Sequence, residues 1–256
     1  DNTVHQGYYT QDDIREIVAY AQKRFVTIIP EIELPGHSSA AVAAYPELSC
    51  GIKNRYEVVK TFGIFDNVFC PNEKTFRFLE DVFSEVAALF PGTYIHIGGD
   101  ECPKTAWKQC SHCQGLMKKL NLRDENQLQS YFIHEVEKIV NRQGKQIIGW
   151  DEILDGGLAP NATVMSWRGE KGGIEAAKSG HSVIMMPNAD TYLNYYQEDP
   201  EYAPIGSGSF LPIEQVYSYE PIPAQMNDRD KKYVLGMEAA LWTPYMKNPD
   251  VVDYYM

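Results

Sequence analysis

The sequence predicts a parallel α/β fold of the (β/α)8 barrel type, and three observations carry that prediction. Apolar, β-rich runs alternate with helical patterns along the chain, and parallel neighbours require such crossovers. No glycine-rich phosphate fingerprint follows any run, which counts against an open nucleotide-binding sheet. The runs end instead in polar, aromatic or charged residues, as they do in a barrel whose site is assembled at the C-terminal ends of many strands.

The elements follow in order. Thr10 and Asp13 make a capping-box-like start for a helix reaching about Arg24, with Ile14, Ile17, Val18 and Ala21 on one face. A strand is expected over Phe25–Ile32. Asn72 caps a second helix that carries Phe76, Leu79, Val82, Phe83, Val86 and Phe90. The strand Thr93–Ile97 precedes a helix over Lys104–Leu120 and another over Glu125–Arg142, stopped at Gly144. Strands are then expected over Lys145–Trp150 and Ala162–Trp167, a short helix over Ile174–Lys178, and strands over His181–Met186 and Tyr233–Trp242. Asn248 and Pro249 open a last helix. Two long connections, Ser49–Pro71 and Asp190–Pro223, read as lids or binding walls.

With 256 residues and a formal net charge of -12, the composition describes one larger globular domain or two small ones. No apolar run approaches the roughly 18 residues of a membrane span. The negative balance repels nucleic acid and anionic membranes. The chain opens at Asp1 and stops within a helical pattern at Met256, so a piece of a longer protein is expected. Five cysteines, at 50, 70, 102, 110 and 113, leave at least one unpaired within the chain. Cys102, Cys110 and Cys113 include one C-x2-C, but no second pair answers it, so a structural role is preferred, then a disulfide, then zinc.

The sharpest feature is Tyr94-Ile95-His96-Ile97-Gly98-Gly99-Asp100-Glu101. An apolar strand ends in two glycines, which permit close backbone approach, and then in two adjacent acids. Such neighbours repel each other, and two acids in different environments suit acid-base work on a glycosidic bond. Solvated acids on a surface turn are the alternative. Trp150, Trp167 and Trp242 also stand at strand ends, where flat faces suit sugars and acetamido methyls. Trp107 reads as helix packing.

Taken together, Pro30-Glu31-Ile32-Glu33-Leu34-Pro35-Gly36-His37, His96 to Glu101, Trp150-Asp151-Glu152, Ser166-Trp167-Arg168, Tyr192-Leu193-Asn194 and Leu241-Trp242 resemble the family 20 glycoside hydrolases, the β-N-acetylhexosaminidases. The resemblance runs through the chain in order. It implies one partial catalytic (β/α)8 barrel over residues 1–256, lacking the first two strands and the end of the last helix. It also implies substrate-assisted retaining hydrolysis, in which the substrate's 2-acetamido oxygen forms an oxazoline-type intermediate. On that footing Glu101 resembles the general acid, and Asp100 the residue that orients the acetamido N–H. Tyr192 resembles the hydroxyl that aims the acetamido oxygen, and Trp150, Trp167 and Trp242 the box around its methyl. Asn194 stands where outer sugar hydroxyls are contacted. His37 resembles a histidine supporting the acid, with Glu33 and His96 behind it.

Two departures stand out. Glu33 replaces the usual Asp, and Pro244 stands where many relatives carry a sugar-binding Glu. The resemblance implies no cofactor and no metal in the reaction. The expected partner is an oligosaccharide or glycoconjugate with terminal GlcNAc or GalNAc, met outside the cytoplasm in the periplasm, the medium or a lysosome. The segment by itself is expected to hydrolyse little. A disaccharide-releasing relative, a non-catalytic carbohydrate-binding barrel and a metal-binding domain around Cys102, Cys110 and Cys113 are the competing readings.

Overall fold

A computed structural model describes residues 7–51 and 56–256. Residues 1–6, and residues 52–55 of the expected Ser49–Pro71 loop, lie outside the described residues. The chain divides into two units, Asp1–Ile148 and Gly149–Met256.

In the first unit, α1 (Gln11–Gln22) starts with the expected capping box, in which Thr10 and Asp13 exchange backbone and side-chain hydrogen bonds. The first strand differs from expectation: β1 covers Glu31–Leu34, later than the apolar run 25–32. Phe25 turns back with a left-handed φ of 59° and is fully exposed. Pro30 has no N–H for a ladder, and only its carbonyl is used, accepting from the His96 N–H at 2.9 Å. Then come α2 (Ser39–Ala44), which no sequence signal marked, and α3 (Glu73–Leu89), where Asn72 accepts from the Thr75 N–H.

β2 (Tyr94–Gly98) leads into α4 (Thr105–Gln109) and α5 (Ser111–Leu120). The single helix expected over Lys104–Leu120 is broken because Cys110 is extended, with φ -85° and ψ 115°, and starts α5 anew. α6 (Glu125–Arg142) has its expected bounds, and Gly144 follows it with a φ of 72°. β3 (Gln146–Trp150) pairs parallel with β2, and β2 with β1, through Ile95 opposite Ile147 and Glu31 opposite His96. Leu79 and Phe83 of α3, Leu128, Phe132 and Val136 of α6, and Ile95 and Ile97 of β2 are buried in this unit's core. Burying each such side chain contributes on the order of 1.5–3 kcal/mol.

In the second unit, β4 (Thr163–Ser166), β5 (Val183–Met185) and β6 (Val234–Met237) run parallel in that order. α7 (Glu170–Lys178) begins four residues before the expected start, running through Gly172 and Gly173. Those glycines allow a close approach: a Cβ on Gly173 would stand 2.5 Å from the Met185 sulfur. The long connection 190–223 is partly helical, with α8 (Asn188–Thr191) at its start and α9 (Ile213–Ser218) within it. β6 ends well before Trp242. Past it the Glu238 N–H donates to the Met185 carbonyl at 3.0 Å, and Ala240 forms a bridge to Tyr192. α10 (Pro249–Tyr255) starts at the expected Asn248 cap.

Among the described residues the fold is therefore α/β with six parallel strands, a partial and unclosed sheet of the (β/α)8 type. No helix among the described residues is long and apolar enough to cross a membrane.

Candidate active site

The first unit holds the acids. Beyond β2 the chain turns through Gly98 (φ 67°) and Gly99 (φ 101°) to Asp100 and Glu101, and Glu101 itself has a φ of 43°. His37, three residues past β1, has a φ of 48°. Left-handed backbone at a non-glycine residue costs on the order of 1 kcal/mol and persists where surrounding structure imposes it. Here it aims one histidine at two carboxylates. His37 Nε2 lies 3.2 Å from Asp100 Oδ2 and 3.4 Å from Glu101 Oε2. The hydrogen bond to Asp100, with the charges of both acids, raises the His37 pKa against the opposing effect of burial. Asp100 is largely buried, and its carboxylate is hydrogen-bonded to the carboxyl of Glu33.

Beneath them lies Glu33, on β1. Burial first, and then the negative charges of Asp100 and Glu31, push its carboxyl up to about 10, so it is a neutral acid near pH 7. His96, on β2, is buried with its Nδ1 2.9 Å from Glu31 Oε1. Gln129 Nε2 donates to the Gly99 carbonyl at 2.7 Å and holds the turn that presents the acids.

The second unit holds the aromatic group. Tyr192 stacks on Trp167 with centroids 6.3 Å apart and 16° between planes, and meets Trp242 edge-on at 6.4 Å. Trp150 lies 6.2 Å from Trp242. The expected box residues are thus assembled, with Trp150 buried and Trp242 exposed. Asn194 is buried, and its Oδ1 accepts from the Trp242 N–H at 3.3 Å.

Two acids without an expected role support this group. Glu152 Oε2 accepts from the Trp167 indole N–H at 2.9 Å, and Arg168 Nε lies 3.1 Å from Asp151 Oδ2 and 3.7 Å from Glu152 Oε1. Burial pushes Glu152 up to about 7. Their sequence signal was available: Trp150-Asp151-Glu152 places two acids directly after a strand, as Gly99-Asp100-Glu101 does.

Among the described residues, metal-binding capacity lies in two places in the first unit. The ligand atoms of His37, Asp100 and Glu101 lie within 4.8 Å of one another, and so do the sulfurs of Cys50, Cys70, Cys110 and Cys113. The second group corrects the expectation that nothing answers the C-x2-C, because Cys50 and Cys70, near the two ends of the long loop, answer it. Cys102 does not join them. It packs against the same apolar core with its thiol pushed up to about 12 by burial.

The pattern of the glycosyl hydrolase family 20 catalytic domain matches residues 1–256. The chain is 52% identical over 256 residues to a beta-hexosaminidase of Porphyromonas gingivalis, covering 99% of this chain and 33% of that protein. It is 39% identical to a beta-hexosaminidase of Vibrio furnissii, covering 98% of this chain and 42% of that protein. The chain therefore spans less than half of either relative. Among solved structures, the GH20 exo beta-N-acetylglucosaminidase of Vibrio harveyi in complex with N-acetylglucosamine superposes with a TM-score of 0.84 at 35% identity, covering 98% of this chain and 40% of that one. A catalytic-domain match along the whole chain shows that this chain belongs to glycosyl hydrolase family 20.

Proposed function

We propose that the protein removes terminal β-linked N-acetylhexosamine from oligosaccharides or glycoconjugates by a retaining, substrate-assisted mechanism. One observation carries this reading: His37 Nε2 reaches both members of the acid pair, 3.2 Å from Asp100 and 3.4 Å from Glu101. In the first step Glu101 gives its proton to the glycosidic oxygen, the bond from the anomeric carbon to that oxygen breaks, and the substrate's own acetamido oxygen closes on the anomeric carbon. Asp100 accepts the acetamido N–H and stabilises the positive charge that develops there. By the family resemblance Tyr192 is assigned to the acetamido oxygen, and Trp150, Trp167 and Trp242 to its methyl. An internal nucleophile held in place replaces a carboxylate nucleophile. In the second step Glu101 takes a proton from water, which opens the oxazoline ring with net retention.

The same reading sets the work outside the cytoplasm, as the family resemblance implies. The test uses the intact protein with 4-nitrophenyl β-glycosides of GlcNAc and GalNAc. Nitrophenolate release, first formation of the β-anomer by NMR and tight inhibition by a thiazoline analogue of the intermediate are expected. Turnover of neither substrate would overturn the activity. Turnover indifferent to the thiazoline would overturn the substrate-assisted step.

A further inference from the structure

We infer that Cys50, Cys70, Cys110 and Cys113 form a closed tetrathiolate site for a structural zinc ion. The sulfurs come from three places in the chain. Cys50 follows the turn Pro46–Leu48, and Cys70 closes the long loop with its N–H on the Leu48 carbonyl at 2.8 Å. Cys110 and Cys113 occupy the N-cap and the third position of α5.

Their spacing carries the argument. Cys50 Sγ lies 3.7 Å from Cys113 Sγ, and Cys70 Sγ lies 3.8 Å from it. All four sulfurs fall within 4.8 Å of one another. A tetrahedral zinc with Zn–S bonds of about 2.3 Å needs sulfurs about 3.8 Å apart, whereas a disulfide needs about 2.05 Å. The five cysteines are all unbridged.

The surroundings fit a structural centre. Cys70, Cys110 and Cys113 are buried among Val68, Trp107, Met117 and Leu128. Four protein ligands leave no open position for water, as in closed structural sites. Soft thiolates select zinc over the hard cations that oxygen ligands hold. His112, between Cys110 and Cys113, turns away, with its Nε2 3.2 Å from the Pro71 carbonyl.

The position suggests what the ion does. The loop is tied to the segment bearing His37: Phe69 N–H donates to the Pro35 carbonyl at 3.0 Å, and Ser38 Oγ to the Asn67 carbonyl at 3.2 Å. α4 and α5 follow Asp100 and Glu101 directly. A zinc ion on these four sulfurs therefore clamps the segment behind the histidine to the segment behind the acids, without touching the reacting atoms. Each bound zinc replaces the protons of the coordinating thiols.

The test measures metal in the intact protein, purified without chelator. About one zinc per chain is expected from a closed four-ligand site, with cobalt replacing it to give the intense visible bands of a tetrahedral thiolate complex. Cys50→Ser, at the half-buried position, should cut retained zinc at least about tenfold after dialysis against a competing chelator. Cys102→Ser should retain it. Stripping zinc from the unsubstituted protein should lower its thermal midpoint, and added zinc should restore it, so the outcome does not depend on any variant folding. No zinc in the purified protein together with no cobalt spectrum would overturn the site. Disulfides among these four cysteines in a non-reducing digest would do the same.

Discussion

A Cβ on Gly98 would stand 2.1 Å from Glu33 Oε2. The acid of β1 fills the space a side chain at the end of β2 would take, so the glycine before the acid pair is required by its neighbour as well as by its own left-handed φ of 67°.

Gly98→Ala should therefore destabilise the protein by more than the roughly 1–2 kcal/mol that a left-handed conformation costs a non-glycine residue. Shortening Glu33 to Asp in the same chain should recover part of the loss. A double-mutant cycle by chemical unfolding measures the coupling. Strict additivity would mean that the two side chains do not compete for that space.

Glu33 makes a pH prediction. Its folded pKa is raised from 4.5 to about 10, so its contribution to stability is fully present below pH 4.5 and is lost as pH rises through that window. Glu33→Gln, which cannot ionise, should flatten the fall in stability between those limits and leave the protein more stable at pH 9. Parallel pH-unfolding curves for the two proteins would show that Glu33 ionises freely in the fold.

The acid pair should separate by function. Glu101→Gln should lower turnover at least about a hundredfold, the lower range for loss of a general acid. Substrates with a good leaving group, which need less protonation, should suffer least. Asp100→Asn should also reduce turnover with an unchanged unfolding midpoint. Near-normal rates for Glu101→Gln would remove it from the role of acid.

Glu152 acts through Trp167 as a positioning residue. Glu152→Ala removes the acceptor of the half-buried Trp167 indole N–H, an interaction worth roughly 1.5–3 kcal/mol when the acceptor is charged. KM for N-acetylated substrates should rise about tenfold or more, with a smaller change in kcat, since the box grips ground state and transition state alike. Glu152→Gln keeps an acceptor and should restore most of the affinity. Equal damage from both substitutions would point to the ion pair with Arg168 instead.

Much was legible in the sequence because it is local. The caps at Thr10, Asn72 and Asn248 bond to groups within three residues, so helix starts were placed closely. The bounds of α6 and the acids after Gly98-Gly99 were placed for the same reason. β1 begins later than the apolar run 25–32, because a strand exists only where a partner offers ladder bonds, and apolar character alone does not reveal that partner. The break at Cys110 was missed because the apolar pattern of a helix says nothing about one extended residue within it. The kinds of residue and their order, including the acid pair, the tryptophans and the family they belong to, were therefore determined by the sequence alone. Only the tertiary structure decided that burial and neighbouring charges raise the Glu33 carboxyl, that Glu152 accepts from the Trp167 indole and that four sulfurs meet, because desolvation, charge proximity and ligand geometry depend on distances between residues far apart in the chain.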